Sequence, residues 1–98
     1  MALDAVVFPD KLELRLRNGG PTAVGYNLCA SSLERRSAQA WQPVATQRIC
    51  TMELRTLKPG EEARYSYRLD DLPPGEYRAT TRVEGLSAAV TTEPFQLR

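Results

Sequence analysis

The reactive side chains of this 98-residue chain are two cysteines, a set of carboxylates and many arginines, with no histidine. Without imidazole there is no Ser-His-acid or Cys-His arrangement and no imidazole general base. Two cysteines cannot fill a four-ligand zinc site, so no metal is expected. Cys29 and Cys50 admit two readings: a bridge, or two buried thiols packing as small hydrophobes. A reactive thiol is disfavoured, since no C-x-x-C and no histidine lowers a pKa. The acid pairs Glu61-Glu62 and Asp70-Asp71 sit beside turns, and neighbours on a strand point to opposite faces. Phosphate-binding glycine motifs and EF-hand loops are absent from the sequence. No catalytic residue and no cofactor is expected, and the chain reads as a non-enzyme.

The remaining chemistry is recognition. Only Lys11 and Lys58 are lysines among the 13 basic residues; the rest are arginines. Arg15, Arg17, Arg55, Arg64, Arg68, Arg78 and Arg82 fall on outward strand positions. One reading is an arginine face for an acidic partner, phosphate or polysaccharide. The other, favoured because each basic strand also carries acids, is cross-strand pairing with Glu13, Glu53, Glu76 and Glu84. Trp41, flanked by Gln42 and Pro43, is either a binding anchor or, more commonly, a core-edge residue. A net charge of +1 gives no global pull toward nucleic acid or an anionic membrane. The longest uncharged stretch, residues 18–33, is too short and too rich in Gly, Pro and Asn to insert in a bilayer. The first eight residues lack a basic n-region, so no signal peptide is read there. The chain is then cytosolic, or a mature segment behind a starter methionine.

These residues need a scaffold, and period-two alternation supplies it. Lys11–Arg17 places Leu12, Leu14 and Leu16 on one face and four charges on the other. Tyr77, Ala79, Thr81 and Val83 alternate with charged or polar residues, as do Ala63, Tyr65, Tyr67 and Leu69. Met52, Leu54 and Thr56 alternate with Glu53 and Arg55. Weaker strands are read at 3–8, 24–30, 33–36, 41–45 and 89–97, with Pro94 marking an edge or bulge in the last. A short helix over 33–40 is the lesser alternative for that stretch. Lys58-Pro59-Gly60 and Pro73-Pro74-Gly75 both read as type II turns. The expectation is one all-β domain over residues 1–98, a sandwich of seven or eight mostly antiparallel strands.

Several of these motifs together resemble an immunoglobulin-like sandwich. Leu72-Pro73-Pro74-Gly75-Glu76-Tyr77 is similar to the corner before strand F, where a Tyr hydroxyl bonds back to upstream backbone. Pro74, Gly75 and Tyr77 are thus expected to be structural. An alternating first strand ending in Asn18, a mid-domain Trp41 and the Leu57–Glu61 turn resemble bacterial immunoglobulin-like domains of envelope proteins and lipoproteins. More distantly, they resemble the intracellular proteinase-inhibitor-like sandwiches. The antibody pattern is not met: Ala79 stands where its second cysteine would be. The envelope resemblance implies an oxidising compartment and favours the Cys29–Cys50 bridge. It also implies a non-enzymatic binding or structural module of a bacterial extracytoplasmic protein, secreted or envelope-attached, here as an excised mature domain. Its partner would be a protein or polysaccharide, and the chain a monomer or weakly self-associating. Arg35, Arg36 and Trp41 are the candidate binding residues, and the loops at 18–24, 35–41, 70–74 and 85–87 the candidate contact surfaces. Two alternatives remain open: a proteinase inhibitor presenting Arg35 or Arg36, and a self-assembling subunit pairing through an edge at 3–8 or 89–97.

Overall fold

The computed structural model describes residues 1–45, 50, 53–86 and 88–98. Among them are eleven strands: β1 (Ala2–Val7), β2 (Lys11–Arg17), β3 (Val24–Tyr26), β4 (Ser32–Ser37), β5 (Ala40–Val44), β6 (Arg55–Leu57), β7 (Glu62–Arg68), β8 (Gly75–Thr81), β9 (Val83–Glu84), β10 (Val90–Thr91) and β11 (Phe95–Leu97). All their pairings are antiparallel. One sheet runs β1-β2-β7, a second β10-β8-β4-β5 with β11 also on β8, and a short third β6-β3-β9. The strand count exceeds the expected seven or eight; two of the runs read as single strands are split, 76–84 into β8 and β9 and 89–97 into β10 and β11.

The alternation of the sequence is what stacks the sheets. Leu12, Leu14 and Leu16 of β2 are fully buried, as are Tyr77 and Ala79 of β8; Leu33 of β4 and Leu97 of β11 join the same core. The outward face of β2 departs from expectation. The alternation places Glu13 on the solvated face, yet it is only 7% exposed. The three-stranded sheet flanks it with Val6 and Ser66, and Arg15 Nε donates to it at 2.7 Å with Lys11 Nζ 3.8 Å away.

Separate strands at 24–30 and 33–36 are expected and appear as β3 and β4, but β3 stops at Tyr26, short of the expected end at Ala30. Tyr26 faces Val83 and Ser32 faces Thr80, so five residues on this side oppose two on the other. The surplus is taken up by a 3₁₀ turn at Leu28–Ala30, with Leu28 buried in the core. Cys29 in that turn is bonded to Cys50, with Cα atoms 5.7 Å apart, and the Tyr65 hydroxyl lies 3.4 Å from Cys29 Sγ. The bridge, not the free-thiol reading, is the state of this pair. The split between β10 and β11 is a bulge, as Pro94 foretold: Thr91 faces Thr80 and Phe95 faces Tyr77, leaving three residues against two. Thr92 fills the gap, its hydroxyl accepting from the Ala79 amide at 3.0 Å.

A one-residue offset corrects the reading of 52–56. Leu57 is buried, paired with Val24, whereas Leu54 is 56% exposed and Thr56 faces solvent. A shift of one residue exchanges the faces of a strand. Met52 lies outside the described residues. Residues 33–40, where a short helix was the alternative, form β4 and its turn into β5.

Two buried polar anchors fix the loops. Asn18, 1% exposed, donates from Nδ2 to the Thr22 and Leu57 carbonyls at 2.9 and 3.0 Å, and its Oδ1 accepts from the Gly20 amide at 3.0 Å. Its backbone pairs with Glu61 and Gly60 across the Lys58–Glu61 turn. That turn closes from the Glu61 amide to the Lys58 carbonyl, with Gly60 at φ 82°, as the type II reading requires. The second Pro-Gly sequence behaves differently. Gly75 has φ 152° and opens β8, and the Tyr77 hydroxyl donates to the Pro73 carbonyl at 2.5 Å. The positive φ favours glycine, and a Cβ there, 2.6 Å from Arg35 Nε, would push the Arg35 side chain from its place. The chain ends lie apart: Arg98 shares a shallow groove with Val7, Phe8 and Pro9, at the end of β1 remote from Met1.

Candidate functional site

The outer face of the β5-β4-β8 sheet collects the recognition chemistry. β4 and β5 are joined by a tight turn at Ala38 and Gln39, with Ala38 at φ 56°. The register sets Arg36 opposite Trp41, and Glu34 opposite both Pro43 and Arg78. The Arg78 guanidinium carbon lies 4.6 Å from the Trp41 ring centroid, and that of Arg36 5.9 Å. Each arginine is held from its other side. Arg78 Nε donates to Glu34 at 2.8 Å, and Arg36 Nη1 to Glu76 at 3.2 Å. Two carboxylates therefore fix two guanidiniums against one half-buried indole. Exposed ion pairs add little stability singly, but together they limit the rotamers of three large side chains.

Arg36 and Trp41 thus come together, and Arg35 does not join them. Arg35 points the opposite way along β4, where Nε and Nη2 donate to the Pro74 carbonyl at 3.0 and 2.7 Å. With Tyr77 on the Pro73 carbonyl, it secures the corner before β8. Trp41 lies on the outer face of the sheet and not at the core edge. Sequence reasoning missed Arg78, Glu34 and Glu76 as members of this cluster. Their membership depends on the β4–β8 register, which brings together residues 44 positions apart; only the Arg36–Trp41 proximity was legible locally. Next to the cluster, sharing Glu34 and Pro43, is an open groove of about 540 Å³ that Ser32, Thr80, Arg82 and Leu54 also line.

The inhibitor alternative loses its loop. Arg35 pairs with Gln42 on one side and Tyr77 on the other, so its backbone lies inside the ladder. Arg36 is paired with Trp41 and ion-paired to Glu76. A protease cleft takes an extended, unpaired segment, and here only Ala38 and Gln39 form the tip. Of the other candidate loops, 18–24 begins at the buried Asn18, and 70–74 is tied down at Leu72, Pro73 and Pro74. Gly85 turns the 83–86 segment, with Leu86 donating to Val83; Ser87 lies outside the described residues.

The outer face of the other sheet is a charge ladder. Glu62 meets Arg64 at 3.0 Å and Arg17 at 3.6 Å, and Arg68 meets Asp70 at 3.2 Å. The hydrogen bond from Arg15 chiefly, with charges of Arg15, Arg64 and Lys11, outweighs desolvation and holds the Glu13 carboxyl below its ordinary range. The bond from Arg64 does the same for Glu62. Glu13 departs from the cross-strand pairing reading, since Lys11 and Arg15 lie on its own strand; Glu76 meets that reading through Arg36, and Glu62, an acid it did not include, pairs across strands with Arg17. Burial raises the Tyr77 phenol, partly offset by Arg35.

Residues 1–96 match the model of a family described as bacterial Ig-like domain. A search of curated proteins found no match.

Proposed function

This chain belongs to the bacterial Ig-like domain family, structural or binding modules of bacteria, and from that membership we propose that it is a non-enzymatic protein-binding module of an extracytoplasmic protein. Its contact surface is the outer face of β5-β4-β8, centred on Trp41. The observation that carries this reading is the Arg36–Trp41–Arg78 cluster with its two glutamates. Tryptophan and arginine are the residue types that dominate binding energy at protein interfaces. Holding them in place before contact reduces the ordering cost of association. The rest of the sandwich acts as a rigid mount. The Cys29–Cys50 bridge and the family support an extracytoplasmic setting, where disulfides persist.

The test is capture from a bacterial envelope extract by immobilised wild-type domain beside Trp41→Ala and Arg78→Ala variants. Proteins retained by the wild type and lost from both variants support the reading. Identical retention by all three overturns it. Trp41 is the only tryptophan, so its emission reports directly on engagement by a purified partner. An upstream signal peptide or lipobox in the precursor is the expected mark of export, and a precursor without one overturns that part.

A further inference from the structure

A sheet edge turns unpaired amides and carbonyls outward, and proteins blunt such edges with prolines, bulges, charges or short strands. Most edges of this fold are blunted. β5 carries Pro43, opposite Glu34 in the pairing where Trp41 and Pro43 turn their backbone away from β4. Proline there deletes an outward donor. The β10–β11 edge is broken by its bulge and Pro94. β6 and β9 are three and two residues long. β7 carries Glu62, Arg64 and Arg68, and the 3₁₀ turn of Cys29 packs on its Tyr65.

β1 is different. It has six residues, no proline, no bulge and one charge, Asp4. The Phe8 amide donates to the Lys11 carbonyl at 2.8 Å, which fixes the phase of the ladder. Ala2, Asp4 and Val6 therefore exchange bonds with β2, and Leu3, Ala5 and Val7 turn their N–H and C=O away from it. Among the described residues these three have no backbone partner. Val7 is 42% exposed although its side chain points to the core face.

We propose that β1 is a self-association edge, on which a second copy pairs antiparallel about Ala5 to give one continuous six-stranded sheet. The strand is complementary to itself in this register. Leu3 faces the other copy's Val7, so the exposed valine gains an apolar neighbour. Asp4 faces Val6, so carboxylates do not sit directly opposite each other. The outward rows then place Arg15 and Asp4 of one copy in line with Val6 and Glu13 of the other. Pairing makes about six backbone hydrogen bonds but buries less than a standard stable interface, so the association is weak and concentration-dependent. The edge lies on the sheet opposite Trp41, and its test is independent of the proposed partner.

Sedimentation velocity from micromolar to millimolar concentration is the experiment. Wild type is expected to shift toward dimer as concentration rises. Val7→Lys sets charge on the edge, and Ala5→Pro deletes an outward donor while sparing the bonds to β2. Each is expected to weaken the dimer at least about tenfold. A wild type that stays monomeric throughout overturns the proposal, as does a dimer that Val7→Lys leaves unchanged. Near-UV dichroism reports folding; if Ala5→Pro does not fold, Val7→Lys decides alone.

Discussion

Replacing Asn18 tests the anchoring of the loops most directly. Its amide makes two donor bonds, to Thr22 and Leu57, and accepts one from Gly20, all in a position 1% exposed. Asn18→Ala removes all three. At about 1 kcal/mol net for each bond, the loss is about 3 kcal/mol. In urea, with a slope of about 1.5 kcal/mol/M, the midpoint falls by about 2 M. Asn18→Asp is nearly isosteric and keeps the acceptor for Gly20, but sets a carboxylate oxygen against two carbonyls. It is therefore expected to be at least as damaging as alanine at pH 7. Its deficit shrinks in acid, because a protonated carboxyl can again donate one bond. Urea titrations at pH 7 and pH 3, followed by tryptophan emission, measure both variants. An alanine variant that loses less than about 1 kcal/mol refutes the anchoring argument. So does an aspartate variant as stable as wild type at pH 7.

Other outcomes follow from the same structure. Changing both Cys29 and Cys50 to serine is expected to cost about 3 kcal/mol for a loop of about 22 residues, read as a urea midpoint shift; alkylation of native protein without reductant should add no mass. Ala38→Gly is expected to stabilise by about 0.5–1 kcal/mol, since alanine at φ 56° is strained, and thermal melting measures it. Glu13 and Glu62 have folded pKa values below the ordinary 4.5. The stability they contribute is present above that value and is lost as pH falls through the lower folded values. The urea midpoint should drop across that acid window, and Glu13→Gln should flatten the drop.

The parts legible in the sequence were those governed by local period. Leu12, Leu14 and Leu16 could only be a half-buried strand; the Tyr77 corner was legible through the resemblance of Leu72–Tyr77 to an immunoglobulin-like corner, and its partner, Pro73, is four residues away. What local pattern does not encode is register between distant strands. Glu13 is buried because Val6 and Ser66 flank it from two other strands. Leu57 displaces Leu54 from the core because β6 pairs with β3 in that phase. The 3₁₀ turn at Leu28–Ala30 follows Asn27, a poor strand former, inside a stretch otherwise read as one strand. Arg35 and Arg36, adjacent and chemically identical, part ways because β4 sends one to the corner and the other to Trp41.

The separation of the chain ends along β1 has a mechanical meaning. Tension applied through Met1 pulls β1 along its own axis, while the opposing pull through Arg98 acts at its far end. The bonds between β1 and β2 are then loaded together and not peeled one by one. They rupture as a group, whereas the pull at Arg98 enters through the three-residue pairing of β11 with β8. On the far side, the Cys29–Cys50 link, with a sequence separation of 21, keeps the stretch between the two cysteines from paying out as slack, so the extension released on rupture is shorter than the contour length of the chain.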